Sequence, residues 1–184
     1  EKRGGINCFE YHPQLEKYIN GNIYLDGYFQ TELYFKQYLS DLRKIFLKNE
    51  IKDILGYFIH IRRGDYVEVD FLLKDETYYQ KAFNAIKNHK NIEYWYILSD
   101  DLEFVKKDTF IASLNPIFIA EKDPIDCLAF MSEIKDAAIT ANSTFSWMGA
   151  YLGIGPVENS VTYPKNWINK GEPPDLFPKN WFGI

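Results

Sequence analysis

Cysteine is scarce in this chain: two residues in 184, Cys8 and Cys127. They stand far apart, with neither Cys-x-x-Cys nor metal-ligand spacing, which excludes a disulfide framework and leaves two reduced core thiols. Long apolar runs are missing as well. No stretch approaches the roughly 20 residues that cross a bilayer, and no signal peptide is recognisable. A cytoplasmic setting is the expectation from these absences. Basic clustering is also lacking: net charge is −5 and the lysines are scattered, which argues against a general nucleic-acid surface. A phosphate-bearing partner is therefore expected to be a small molecule. There is no internal repeat or low-complexity segment, and no linker after about residue 50. The chain lacks an initiator Met and opens within ordinary folded sequence, Gly4-Gly5-Ile6-Asn7-Cys8-Phe9. It reads as a piece whose N-terminal part is absent.

Aromatic residues, by contrast, are abundant: 14 Tyr, 14 Phe and 4 Trp, ample material for a core in a chain of this length. Apolar periodicity and turn residues predict a strand over 22–29 and a helix over 31–48 opened by Thr31 and Glu32. Strands and helices then alternate: strand 56–61, helix 77–90, strand 94–98, a helix capped by an aspartate of Ser99-Asp100-Asp101, strand 116–119, helix 124–135, strand 137–140, a helix through 152, and a last strand 161–163. Helical crossovers of this length imply right-handed βαβ units and a parallel sheet, an α/β Rossmann-like fold. The domain reading is an inter-domain remnant over 1–50 and a nucleotide-binding domain over 51–184. The tail carrying Tyr163, Pro164, Trp167, Trp181 and Phe182 is expected to cover the sheet.

The run Tyr57-Phe58-Ile59-His60-Ile61-Arg62-Arg63-Gly64-Asp65 ends an apolar strand in a His, two arginines and an Asp. Adjacent guanidinium groups repel unless an anion lies between them, and their forks match phosphate oxygens. Ligands of α/β sheets bind beyond the carboxyl ends of the strands. The plain alternative is two solvated arginines with Asp65 as a local partner. Asn142-Ser143-Thr144 follows another strand and opens a helix at the same sheet edge, where hydroxyls and N–H groups suit an anion, although an ordinary N-cap needs the same residues. These three residues also spell a glycosylation sequon, in a turn facing a crevice that makes a poor acceptor. Asp100 and Asp101 could hold a metal with a diphosphate, but lack Asp-x-Asp spacing, and Asp101 reads as a cap. Asp126 is either a dipole-favoured acid at a helix start or a bidentate acceptor for the N1–H and amino group of guanine.

Together these stretches resemble the α-1,2-fucosyltransferases of glycosyltransferase family 11. The resemblance runs through Tyr24-Leu25-Asp26-Gly27-Tyr28-Phe29-Gln30, His60-Ile61-Arg62-Arg63-Gly64-Asp65-Tyr66-Val67, Tyr78-Tyr79, Leu98-Ser99-Asp100-Asp101, Asn142-Ser143-Thr144-Phe145-Ser146-Trp147 with Gly149-Ala150, and Tyr163-Pro164-Lys165-Asn166-Trp167. The family's N-terminal Gly-Gly-Leu-Gly-Asn-Gln segment is missing, and Met148 replaces a second Trp usual there. The resemblance implies the Rossmann-like, nucleotide-binding half of a GT-B enzyme. It implies inverting transfer of L-fucose from GDP-fucose to the 2-hydroxyl of a galactose-terminated acceptor, without metal or other cofactor. It leaves room for peripheral membrane association of the full-length protein. It assigns Arg62 and Arg63 to the diphosphate, His60 and Asp126 to the guanosine, Ser143 and Thr144 to the phosphates, and Asn142 to donor binding. A general base would come from Asp65, Glu68 or Asp70. The alternatives are a fucosyltransferase of another linkage or acceptor (O-antigen or protein), and a non-catalytic nucleotide-sugar-binding module.

Overall fold

Five successive buried residues, Tyr57–Ile61, form strand β1 at the centre of the molecule, a run apolar but for His60, of the kind that a parallel sheet covered on both faces requires. The computed structural model describes residues 9–18, 22, 24, 26, 29–47, 53–69, 71–73, 77–87, 93–120, 123–167 and 173–184. Helix α1 (Leu39–Phe46) precedes β1. After it come α2 (Tyr78–Lys87), β2 (Trp95–Ser99), α3 (Leu102–Val105), α4 (Thr109–Ser113), β3 (Ile117–Phe118), α5 (Pro124–Glu133), β4 (Ala137–Ile139), α6 (Thr144–Gly153), β5 (Val161–Tyr163) and β6 (Phe182–Gly183). The six strands lie in the order β3-β2-β1-β4-β5-β6, every pairing parallel. This is the expected Rossmann-like parallel sheet. The order reverses between β1 and β4, from which the crossovers lead away to opposite edges, and that gap is where a parallel sheet leaves a crevice at its carboxyl end.

Side-chain alternation along β1 splits the core. Tyr57, Ile59 and Ile61 face a cluster with Tyr78, Ala82 and Ile86 of α2, Val105 and Ile111. Phe58 faces the other cluster, with Met131, Trp147, Ala150, Tyr151, Trp167 and Trp181. On that second face α5 and α6 lie close, because a Cβ on Gly153 would meet the carbonyl oxygens of Ser132 and Ile134 at 2.9 Å. The tail covers the sheet as expected. Trp147 donates its indole N–H to Leu176 O (3.1 Å), and Trp181 does so to Gly155 O (2.9 Å).

Two elements differ from the sequence expectation. The helix expected over 31–48 breaks into 3-10 turns at Glu32–Tyr34 and Lys36–Tyr38 before α1 begins. Phe35, at φ −139°, interrupts it. Its ring packs edge-on against Trp147 and Tyr151, so tertiary burial overrides helical continuity. The tail also adds a strand after the expected last one, with Thr162 opposite Phe182 and Tyr163 opposite Gly183. Half of the strand expected over 22–29 lies outside the described residues, as do Cys8 and Asp70, and the described half (22, 24, 26 and 29) is not in a strand. Residues 31–47 are docked on α6: Arg43 donates from Nε to Leu152 O (2.6 Å) and from Nη2 to Gly153 O (2.8 Å). Among the described residues no helix is long and apolar enough to cross a membrane.

Candidate active site

The carboxyl ends of β1 and β4 are fixed by two adjacent tyrosines at the start of α2. Tyr78 donates to Thr140 O (2.7 Å) and Tyr79 to His60 O (3.2 Å), and burial pushes both phenols far above their usual range. Between these strand ends opens a cavity of about 460 Å³. His60, Arg62, Asp65 and Tyr66 form one wall and Ser143, Thr144 and Phe145 another; Leu98, Ile119, Pro124 and Cys127 supply an apolar side.

Each sequence-derived candidate within the described residues now has a place. His60 is 4 % exposed, with its Nδ1 lacking a hydrogen-bond partner and its ring beside Phe145. Burial, partly countered by Asp100, lowers its pKa to about 4, so the imidazole is neutral near pH 7. Arg62 reaches Asp65 Oδ1 at 2.6 Å and Asp100 Oδ2 at 2.9 Å, its guanidinium 5.4 Å from the centre of the Tyr66 ring. Arg63 does not line the cavity. It lies over Phe104 at 3.3 Å and pairs through Nε with Asp101 Oδ2 at 3.3 Å. Strand parity explains the split: residue 62 follows Phe58 and His60 toward α5 and α6, whereas residue 63 follows Tyr57, Ile59 and Ile61 toward α3. Carboxylates of the chain itself therefore separate the two arginines.

Asp100 is the hub of this arrangement, since its other oxygen accepts from the Arg63 backbone N–H at 2.8 Å. Gly64 makes that approach possible, because a Cβ there would collide with Asp100 Oδ2. Asp101 accepts from Phe104 N (3.1 Å) and caps α3, as the sequence suggested. The four oxygens of these two aspartates are thus engaged within the protein. Among the described residues, no group of three or more His, Cys, Asp or Glu side chains is placed to hold a metal.

Asn142 stands outside the lining. Its buried amide donates to Phe71 O (2.7 Å) and Trp167 O (2.9 Å), tying two loops to the end of β4 and leaving no room for a glycan. Tyr66 strengthens the same joint by donating to Asn142 O at 3.1 Å. Ser143 occupies the N-cap of α6 but makes no side-chain cap bond, so the first N–H groups of that helix face the cavity without a side-chain acceptor. Thr144 is exposed beside it. Asp126 is exposed and absent from the lining. One helical turn puts Pro124 and Cys127 on a common face, and Asp126, two residues from Pro124, projects elsewhere. Of the carboxylates considered as bases, Asp65 lines the cavity and Glu68 is exposed away from it.

This arrangement suits an anion with an apolar group attached: one fixed guanidinium, an uncapped helix start and a buried neutral imidazole, all at the reversal point of the sheet. The profile of glycosyl transferase family 11 matches residues 11–184. The chain belongs to glycosyl transferase family 11. Among curated family relatives, the chain is 30 % identical to an α-1,2-colitosyltransferase of Escherichia coli, over 95 % of this chain and 67 % of that protein. It is 30 % identical to the O-antigen biosynthesis glycosyltransferase WbnK of Escherichia coli, over 68 % and 43 % of the two lengths. It is 26 % identical to a galactoside 2-α-L-fucosyltransferase of Bos taurus, over 68 % and 37 %. The aligned region spans two thirds of the first and less than half of the other two. No solved structure matches. A nucleotide-sugar donor and a glycan acceptor are the substrate classes that membership of family 11 implies.

Proposed function

We propose that the protein transfers L-fucose with inversion from GDP-fucose to the 2-hydroxyl of a galactoside, the nucleotide lying in the cavity between β1 and β4. The observation that carries this reading is the meeting of Arg62, the uncapped start of α6 and the unpartnered His60 Nδ1 in one cavity. The nucleoside rests on Leu98, Ile119, Pro124 and Cys127, with His60 making the buried polar contact. The diphosphate lies between Arg62 and the N–H groups after Ser143, with Thr144 beside them.

As the acceptor oxygen bonds to the anomeric carbon, the bond from that carbon to the β-phosphate oxygen breaks and negative charge grows on the departing GDP. Donors fixed in advance stabilise that charge more in the transition state than in the ground state. This role needs no metal here, because Arg62 supplies the charge. Asp65 is the base: a phosphate competing for the Arg62 fork releases the carboxylate to take the proton of the acceptor hydroxyl. Arg63 positions the loop through Asp100 and Asp101 instead of touching the donor.

A colitosyl donor is the second reading, favoured by the match to the colitosyltransferase along 95 % of the chain. The deciding experiment uses the full-length protein. Calorimetry with GDP, with and without EDTA, is expected to show equal affinity; loss of binding in chelator overturns the arginine account. Turnover is then followed with GDP-fucose and GDP-colitose on a panel of β-galactosides, with product linkage read by NMR. GDP retained without turnover of either donor would make the protein a binding module.

A further inference from the structure

We propose that Tyr66 is a positioning residue that holds the Ser143 hydroxyl away from the first turn of α6, so that the backbone N–H groups there stay open to the donor's phosphates. The inference rests on the nucleotide placement proposed above. Serine is among the residues best suited to an N-cap, and Ser143, at φ −136° and ψ 126°, has the extended backbone that N-caps adopt. From that position its Oγ would ordinarily accept from the N–H two or three residues on, which belongs to Phe145 or Ser146. Ser143 makes no such bond. A well-placed cap that goes unused needs a competing partner.

That partner is the Tyr66 phenol, which lines the same cavity. It shares a hydrogen bond with the Ser143 side chain and donates its O–H to Asn142 O at 3.1 Å. A phenol has one proton to give, so the bond with Ser143 runs from the serine O–H to the phenol oxygen. Burial raises the pKa of Tyr66 above its usual value, which keeps the phenol proton in place. Donation to the phenol fixes the serine rotamer, and a side chain turned that way leaves the start of α6 without a side-chain acceptor.

Tyr66 can do this because its own position is set. The 3-10 turn Gly64–Val67 carries it off the end of β1. Phe71 donates its backbone N–H to Tyr66 O at 3.1 Å and lays its ring edge-on to the tyrosine ring at 5.7 Å, and Asn142 closes the loop by donating to Phe71 O at 2.7 Å. The Arg62 guanidinium lies 5.4 Å from the centre of the same tyrosine ring. One side chain therefore relates the two halves of the anion site, Arg62 and the helix start, in the cavity that the unpartnered His60 Nδ1 also lines. A phosphate arriving at a capped helix must first displace the capping side chain, whereas at α6 no side chain stands in its way.

The test is a double-mutant cycle in the full-length protein, read by calorimetry with GDP and by crystal structures of the variants. Tyr66→Phe keeps the ring, and with it the contacts to Phe71 and Arg62, but removes the group that holds Ser143. The freed hydroxyl is expected within hydrogen-bond distance of Phe145 N or Ser146 N. GDP affinity is expected to fall about fivefold, within a span of roughly 2–30-fold set by the strength of N-caps. In the Ser143→Ala background no hydroxyl is left to cap the helix, so the same Tyr66→Phe change should alter GDP affinity by about twofold or less. Equal losses in both backgrounds, as expected if Tyr66 only supports Arg62 and the loop, overturn the inference. So does a Ser143 side chain that keeps its place in the Tyr66→Phe crystal. In either case GDP binding by the wild type leaves the nucleotide placement standing. Wild type that fails to bind GDP at all overturns the placement and this inference with it.

Discussion

Adding one methyl group at Gly64 should damage nucleotide binding although Gly64 lines no part of the cavity. Gly64 is not one of the positive-φ glycines, so alanine is acceptable to the backbone and the problem is space alone. The new Cβ would overlap Asp100 Oδ2, the atom that holds Arg62 Nη1 at 2.9 Å. Asp100 must swing away, losing that contact and straining the 2.8 Å bond from Arg63 N. Hydrogen bonds involving a charged group contribute about 1.5–3 kcal/mol when buried. Here the side chains of Arg62 and Asp100 are 31 % and 24 % exposed, so screening lowers the expected loss to about 1–2 kcal/mol. Arg62 would then be ordered by the ligand instead of by the protein, weakening GDP binding roughly 5–30-fold. Calorimetry on Gly64→Ala, Asp100→Ala and the double variant isolates the cause. Gly64→Ala should be nearly silent once Asp100 is gone. An equal cost in both backgrounds would refute the collision with Asp100 and the bracing role given to it.

The two arginines should respond differently to lysine. Arg62→Lys is expected to lower kcat by about 10²–10³ through loss of the fork at the leaving phosphate, whereas Arg63→Lys should keep near-wild-type kcat and lose about 1 kcal/mol of stability with its contact to Phe104; steady-state kinetics with equal losses in both would contradict the assignment. His60 makes stability depend on pH. Its folded pKa, about 4, lies below the ordinary value near 6.5, so the unfolded chain binds the extra proton and stability falls as pH drops from about 6.5 toward 4. Between pH 7.5 and 5 the wild type should lose on the order of 2 kcal/mol more than His60→Phe in urea unfolding, and parallel losses would mean that the imidazole is solvated. Cys127 lines the cavity, so GDP at ten times its Kd should slow alkylation of that thiol roughly tenfold by peptide mass spectrometry, and an unchanged rate would place the nucleotide elsewhere.

Much of this was legible in the residues, for identifiable reasons. Strand β1 is buried along its whole length, so its apolar run could be recognised without knowing its neighbours, and the alternation with helices followed from spacing. Parity along that strand already separates Arg62 from Arg63, and helical phase separates Asp126 from Pro124 and Cys127, although a motif read as a block hides both divisions. Gly64 signals a close approach, but its neighbour, Asp100, lies on another strand and is invisible to local reasoning. Phe35 could not be recognised as a helix breaker because the rings that hold it belong to α6. Strand β6 consists of two residues, too few for periodicity, and exists because β5 offers it an edge. Asn142 illustrates the reverse failure: a residue type suited to ligands is used by the fold to tie loops together.

Helix α6 is fastened at one end and open at the other. Arg43 of α1 and the Lys135 ammonium, 3.5 Å from Gly153 O, put positive charge on its carboxyl terminus, where the helix dipole is negative. About 15 Å away, its amino terminus awaits an anion. Stability gained from an anion bound there follows the logarithm of ligand concentration, about 2.7 kcal/mol at a hundred times Kd. The same helix carries the docking site of α1, so occupancy of the nucleotide cavity is thermodynamically linked to how firmly residues 39–46 stay attached. With the nucleotide placed as proposed, the donor would act as a folding ligand for α1, a segment that lines no part of the cavity.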